Sequence, residues 1–118
     1  MEKKGRLFLI HWNEGEAGEL LGPLLSAGWE VEVEAKDGAR AGSAIKANPP
    51  RAVVIYLTRL PSHGRETAHA LRSFKATRTI PIIFVDGKDE ALEKTKAKVP
   101  DAIFARSTEL ESILADLV

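Results

Sequence analysis

RAVVIYLTRLPSHG, residues Arg51–Gly64, is the stretch that decides the fold. Ala52–Ile55 is an unbroken apolar run rich in β-branched side chains. Such a run is typical of a strand buried on both faces in the middle of a parallel sheet. Ligands of open parallel sheets bind just beyond the carboxyl ends of the strands. We therefore expect a site at Tyr56, where the sequence has a phenol in place of a reactive carboxylate.

The composition indicates one globular domain. The chain has 118 residues, of which 44% are hydrophobic and 29% charged, and this is enough for one substantial core. Lys plus Arg and Asp plus Glu number 17 each, so no net field attracts nucleic acid or an anionic membrane. The absence of cysteine excludes disulfides, thiolate chemistry and cysteine-containing metal sites.

The first apolar run, Leu7–Ile10, is too short for the core of a signal peptide and far too short to span a bilayer. We interpret it as part of a first strand. The expected location is the cytoplasm, without membrane association.

Short apolar runs alternate with helical patterns along the whole chain. Besides the central run, the predicted strands are Arg6–His11, Trp29–Ala35, Thr79–Asp86 and Asp101–Ala105. The predicted helices are one after a capping box of Asn13 and Glu16, then Ala39–Ala47, Gly64–Thr77, Lys88–Lys98, and one with a capping box of Thr108 and Glu111. Five strands alternating with five helices predict a doubly wound parallel sheet between two helical layers.

Two of these elements carry further expectations. Trp29–Ala35 alternates apolar and acidic residues, which predicts a half-exposed edge strand with its glutamates in water. Pro23 interrupts the first helical pattern and removes a backbone donor, so a kink or a delayed start is expected there.

The alternation, the length and the phrases NPPRAVVIYLTRLPSHG and IPIIFV resemble the receiver domain of two-component response regulators, over nearly the whole chain. The resemblance implies a flavodoxin-like fold with strand order 2-1-3-4-5. It also implies functional residues at the strand ends. These are an acidic pair after the first strand, a phosphoacceptor aspartate ending the third, a Ser or Thr ending the fourth, and a Lys-Pro pair after the fifth.

The first two of those positions depart from the family pattern. The acidic pair falls within His11, Trp12 and Asn13, which contain no carboxylate. The phosphoacceptor position falls on Tyr56, or on Leu57 in the alternative register. Trp12 has two interpretations, as a plug of the former acidic pocket or as an anchor for a partner.

The remaining two positions also differ. The Ser/Thr position is Asp86, and the Lys-Pro pair is replaced by Arg106 and Ser107. Because neighbouring strands end at one edge of the sheet, Asp86 and Arg106 are candidates for an ion pair, worth about 0–1 kcal/mol if exposed. The alternative is that they are unrelated surface charges.

These departures predict a degenerate receiver, or pseudo-receiver, without enzymatic activity. Aspartyl phosphorylation needs a carboxylate nucleophile and a Mg²⁺ ion, which carboxylates usually hold. A phenol with a pKa near 10 does not substitute for that carboxylate. We therefore predict no catalytic residue, no metal and no cofactor. The degenerate site positions are Trp12, Asn13, Tyr56, Asp86 and Arg106.

Other chemistries find less support in the sequence. The three histidines lack zinc-binding spacing and are interpreted as surface or satisfied residues. Gly15 and Gly18 do not complete a dinucleotide-binding or phosphate-binding motif.

The expected function is a protein–protein interaction module in signalling. Binding is expected through the fourth helix, fifth strand and fifth helix, to a protein partner or as a homodimer. The alternative is a flavodoxin-like sensor or enzyme that takes a nucleotide, flavin or other small molecule at the strand-end crevice. A third possibility is that Asp86 or Asp101 has become the phosphoacceptor. The identity of the partner stays open.

Overall fold

Five parallel strands and five helices make up the fold in the computed structural model, which describes residues 4–117. The strands are β1 Gly5–Ile10, β2 Trp29–Glu34, β3 Ala52–Tyr56, β4 Ile82–Val85 and β5 Ile103–Ala105. The helices are α1 Glu14–Ser26, α2 Gly38–Ala47, α3 Pro61–Ser73, α4 Asp89–Lys98 and α5 Leu110–Ala115, the last preceded by a 3₁₀ turn at Ser107–Glu109. The sheet order β2-β1-β3-β4-β5 confirms the flavodoxin-like prediction.

β3 lies at the centre of the sheet, between β1 and β4. Every one of its side chains is buried. Val53 and Ile55 pack in the layer formed with α2 and α3, whereas Val54 and Tyr56 pack in the layer formed with α1 and α5. This alternation follows from the two-residue period of a strand. Tyr56 therefore points to the α1–α5 side of the sheet.

The edge strand β2 departs from expectation at one glutamate. Glu32 is exposed, as the alternation predicts, but Glu34 is only 7% exposed. Its carboxylate accepts hydrogen bonds from Arg40 at 2.6 and 2.8 Å and from the backbone N–H groups of Lys36 and Asp37 at 2.9 and 3.0 Å. The expectation that this glutamate faces water is wrong, because the chain turns towards α2 and encloses it. The Arg40 hydrogen bonds lower the pKa of Glu34 to about 2 despite its burial.

Element boundaries follow the capping chemistry. Asn13 caps α1 and accepts a hydrogen bond from the Glu16 N–H at 3.0 Å, but the reciprocal half of the predicted capping box is not formed. Pro23 lies inside α1 without delaying its start. The chain before α5 is capped by other residues than the predicted Thr108 and Glu111. The Glu109 carboxylate accepts a hydrogen bond from the N–H of Arg106 at 2.9 Å.

Several predicted elements have different ends, and prolines explain the starts of two of them. α3 begins at Pro61, whose fixed φ suits a first helical position, and not at Gly64. β4 begins at Ile82, after Pro81, which has no N–H to donate to a neighbouring strand.

Among residues 4–117, the structure has no helix of the length and apolar character needed to cross a membrane.

Candidate functional site at the strand ends

The ends of β1 and β3 are joined by two stacked rings. His11 follows β1 and Tyr56 ends β3, and their ring centroids lie 5.1 Å apart with an angle of 8° between the planes. Both side chains are almost fully enclosed, with exposures of 2% for His11 and 5% for Tyr56. The parallel pairing of β1 with β3 up to Ile10 and Ile55 makes these two residues the next neighbours in register.

An ion pair lies beside one nitrogen of the His11 ring. The carboxylate of Glu16 in α1 accepts two hydrogen bonds from Arg59, at 3.0 Å from Nε and 2.6 Å from Nη2. The other carboxylate oxygen lies 3.5 Å from His11 Nε2. Arg59 belongs to the loop between β3 and α3, so this cluster ties that loop to the first turn of α1. We call these four residues the histidine–tyrosine cluster: His11, Glu16, Tyr56 and Arg59.

The cluster favours uncharged rings. Burial lowers the pKa of His11 below its ordinary value, the nearby Glu16 carboxylate opposes this shift, and Arg59 adds to it. His11 Nδ1 is buried and has no hydrogen-bond partner among residues 4–117. Burial, helped by the negative charge of Asp86, raises the pKa of Tyr56 to about 12. Tyr56 therefore keeps its proton at physiological pH.

Trp12 lies on the opposite face of the sheet from His11. It is half-buried against the α2–α3 layer, with its ring 6.0 Å from that of His63 in an edge-on arrangement. A Cβ on Gly38 would come within 3.7 Å of the ring, and one on Gly64 within 3.8 Å. The indole therefore packs against the α2–α3 layer and is only partly exposed.

Asp86 and Arg106 lie at the other half of the rim but do not form the predicted ion pair. Asp86, in a left-handed conformation with φ of 58°, accepts a hydrogen bond from the N–H of Ser107 at 2.9 Å. Its own N–H donates to the carbonyl of Ala105 at 2.9 Å. Arg106 is exposed, and no acidic group of residues 4–117 lies within ion-pair distance of it. The hypothesis of an ion pair between these two side chains is therefore wrong. The Asp86 carboxylate accepts a hydrogen bond from a backbone N–H instead.

Sequence reasoning predicted the positions of these strand ends but missed Arg59 as part of the site. Asn13 was a correct helix cap, and Glu16 was expected to complete that cap. Its side chain instead bonds to Arg59, which is 43 positions away along the chain. No local pattern indicates a pair at that separation.

The donors at the rim do not match what Mg²⁺ requires. Magnesium prefers octahedral oxygen ligands that include one or two carboxylates. The carboxylate of Glu16 is bound by Arg59, and that of Asp86 by a backbone amide. At the position of the family's acidic pair, this chain has the imidazole of His11, the indole of Trp12 and the amide of Asn13. Within residues 4–117, no cluster of three or more His, Asp or Glu side chains is arranged to hold a metal ion.

Comparison with known proteins gives matches at the level of structure. No family model and no curated protein matches the sequence. A CheY-like receiver domain from Methylobacillus flagellatus is similar at 19% identity, with 100% of both chains covered and a TM-score of 0.80. The chemotaxis protein CheY4 of Vibrio cholerae is similar at 17% identity, with 100% of both chains covered and a TM-score of 0.78.

A third similar structure is the receiver domain of the sensor histidine kinase PA1611 from Pseudomonas aeruginosa. It shares 22% identity over 96% of both chains, with a TM-score of 0.74, and it has a magnesium ion coordinated in its active-site cleft. The chain therefore has the fold of response-regulator receiver domains, as the resemblance of its sequence implied.

Proposed function

We propose that this chain is a signalling module of the receiver type that has lost phosphoryl-transfer chemistry and acts by binding another protein. The carrying observation is the end of β3, where Tyr56 packs against His11. In the family that the sequence resembles, the residue at this strand end accepts the phosphoryl group. A buried phenol with a pKa near 12 has neither the carboxylate nor the solvent access for that role.

The charges around Tyr56 support the same proposal. A receiver needs a cation beside its phosphoacceptor to neutralise the incoming phosphoryl oxygens. The two nearby carboxylates, Glu16 and Asp86, are each taken by a protein donor. These contacts compete with a cation for both carboxylates, which supports the proposal that the rim does not bind one.

The face proposed for partner binding consists of α4, β5 and α5. A cavity of about 450 Å³ opens there, and its lining includes Asp86, Leu92, Lys96, Phe104 and Arg106. The Lys96 ammonium lies 5.4 Å from the centre of the Phe104 ring. Partly exposed aromatic rings with charged neighbours are enriched among the residues that contribute most to protein binding.

The loss of phosphoryl transfer is tested by incubating the protein with acetyl phosphate and Mg²⁺ and measuring its intact mass. We expect no change in mass, while a receiver with its phosphoacceptor aspartate gains one phosphoryl group under the same conditions. A gain in mass would contradict the proposal. Asp86→Asn and Asp101→Asn would then show whether either aspartate had become the acceptor.

The binding face is tested with the full chain as bait in affinity capture from the native host, in parallel with sedimentation equilibrium. Lys96→Glu and Phe104→Ala are expected to lose the captured partner, or the dimer if the partner is a second copy. His69→Gln, an exposed change on α3, is the matched control and is expected to keep it. Equal capture by all variants would exclude this face.

A further inference from the structure

His11 is a titratable group in the buried half of the rim that the proposed function does not use. Its ring stacks on Tyr56. Its Nε2 atom lies 3.5 Å from Oε1 of Glu16, which is longer than a typical hydrogen bond of about 2.9 Å. Its Nδ1 atom is buried and has no hydrogen-bond partner among residues 4–117. The ring is therefore held mainly by packing.

Protonation of this ring would place two cations beside one carboxylate. While His11 is uncharged, Glu16 is neutralised by Arg59, which donates to it at 2.6 and 3.0 Å. A charged His11 would compete with Arg59 for Glu16, and the two cations would repel each other. An imidazolium also has two N–H donors, so Nδ1 would carry a proton for which the folded chain offers no acceptor. The contacts of the neutral ring therefore do not suit the charged one.

The other neighbours of the ring do not supply a second negative charge to it. Tyr56 keeps its proton, and the charge of Asp86 acts on that phenol. Glu34 in β2 accepts the backbone N–H of His11 through its own backbone carbonyl at 3.3 Å, while its carboxylate is bound at the start of α2. Among residues 4–117, Glu16 is the only carboxylate within ion-pair distance of His11.

The loop segment that Arg59 ties down has few other attachments. Thr58, Arg59 and Leu60 are exposed, and within residues 4–117 none of their N–H groups donates a hydrogen bond. In the same part of the chain, the side-chain hydrogen bonds between this segment and another element are those of Arg59 with Glu16. Leu60 also has a left-handed backbone with φ of 43°, which is unfavourable for leucine. Loss of the ion pair would therefore free the segment.

We propose that His11 is a pH-sensitive switch for residues 58–60: when its ring is protonated, Glu16 pairs with it, Arg59 is released, and the segment moves away from α1. Opening would let water reach Nδ1, so protonation and opening favour each other. Burial lowers the pKa of His11 below 6.5, so the segment is closed at neutral pH and opens in acid. The Arg59 hydrogen bond lowers the pKa of Glu16, which keeps that carboxylate charged over the same range. The switch is a proton input that the proposed docking function does not require.

The switch is tested by NMR on the full chain between about pH 7.5 and about pH 4.5. The ring protons of His11 report its titration, and the Nε–Hε signal of Arg59 reports the ion pair. Both are expected to change with one midpoint, while the backbone order parameters of Arg59 and Leu60 fall from about 0.85 to below about 0.6. The amide signal of Lys36, which is bonded to Glu34, should stay in its folded position, and this separates local opening from unfolding.

Three variants complete the experiment. His11→Phe keeps a ring in the stack but binds no proton, so the Arg59 signal should become independent of pH. Glu16→Gln removes the shared carboxylate, and the order parameters of the segment should already be low at about pH 7.5. Glu14→Gln is the matched control, because it changes an exposed glutamate in the same turn of α1 that pairs with Lys36, and it should retain the transition.

The proposal is overturned if the Arg59 signal does not change as His11 titrates, or if His11 does not titrate before the whole chain unfolds. It is also overturned if His11→Phe retains the transition, or if Glu14→Gln removes it. None of these outcomes depends on the acetyl phosphate experiment or on the identity of a partner.

Discussion

The two halves of the strand-end rim are built in different ways. At β1 and β3, the contacts are between side chains: a buried ring stack with the Glu16–Arg59 ion pair beside it. At β4 and β5, Asp86 is held by backbone groups, and Arg106 extends into solvent. The rings of the first half are packed against the hydrophobic core, whereas the second half is a more exposed polar surface.

The difference separates stability from surface chemistry. Aromatic rings at the ends of β1 and β3 add buried area there, which stabilises that half of the rim. The exposed half contributes less to stability, so its side chains are less constrained by the fold. The predictions below measure this difference between the halves.

The largest expected effect comes from truncating the buried stack. Tyr56→Ala should reduce the free energy of unfolding by about 3–5 kcal/mol, because it leaves a cavity between β3 and His11. Arg106→Ala, in the exposed half, should change it by no more than about 0.5 kcal/mol. Urea denaturation at pH 7 measures both. Equal effects would show that the two halves are not built differently.

A second effect is expected at the end of β2, beside the closed half. Glu34→Ala should cost about 2–3 kcal/mol, since it leaves the N–H groups of Lys36 and Asp37 without their acceptor. Glu32→Ala, which removes an exposed partner of Arg6, should cost less than about 1 kcal/mol.

Glu34 also predicts a pH dependence. Its pKa is about 2 in the folded protein and near 4.5 when unfolded, so the unfolded chain binds the extra proton first. Its stabilisation is therefore complete above about pH 4.5 and is lost as the pH falls towards 2. The free energies of unfolding of the parent and of Glu34→Gln, measured by urea denaturation at each pH, should therefore approach each other as the pH falls from 4.5 to 2. Curves that stay parallel would contradict the assignment.

His11 predicts a weaker dependence at higher pH. Burial lowers its pKa in the folded state, so below about pH 6.5 the unfolded chain binds more protons and stability falls with the pH. His11→Phe preserves the stack and should remove this component between pH 7 and pH 5. His69→Gln, an exposed change, is the control that should retain it. An unchanged slope in His11→Phe would show that His11 does not titrate in this range.

The smallest expected effect is a gain in stability. Leu60, which precedes α3, has a left-handed backbone with φ of 43° and a side chain that is 54% exposed. Leu60→Asn should stabilise the protein by about 0.5–1 kcal/mol, because asparagine tolerates this conformation better. Leu25→Asn has similar exposure but a helical backbone, and it should bring no gain. The loss of a partner's binding in Leu60→Asn would instead point to a role for this side chain in recognition.

Much of the fold could be predicted from local patterns. The unbroken run before Tyr56 indicated the central strand, and Asn13 indicated the start of α1. Both depend on residues within a few positions of each other, and such short-range preferences are visible in one sequence.

The partners of charged side chains could not be predicted in the same way. Glu34 looked like an outward residue of an edge strand, but the turn into α2 encloses it. Asp86 was expected to meet the side chain of Arg106 and meets the N–H of Ser107 instead. The first outcome depends on the path of the adjacent turn and the second on a loop 21 positions away, and the periodicity of a strand encodes neither.

The position of β1 between β2 and β3 has a consequence for biosynthesis. The β2-β1-β3 half of the sheet is complete in sequence by residue 56, before β4 and β5 leave the ribosome. Until they emerge, β3 exposes an unpaired apolar edge, which is a site for association with other nascent chains. A chain released early, after β3, would therefore be expected to aggregate rather than fold.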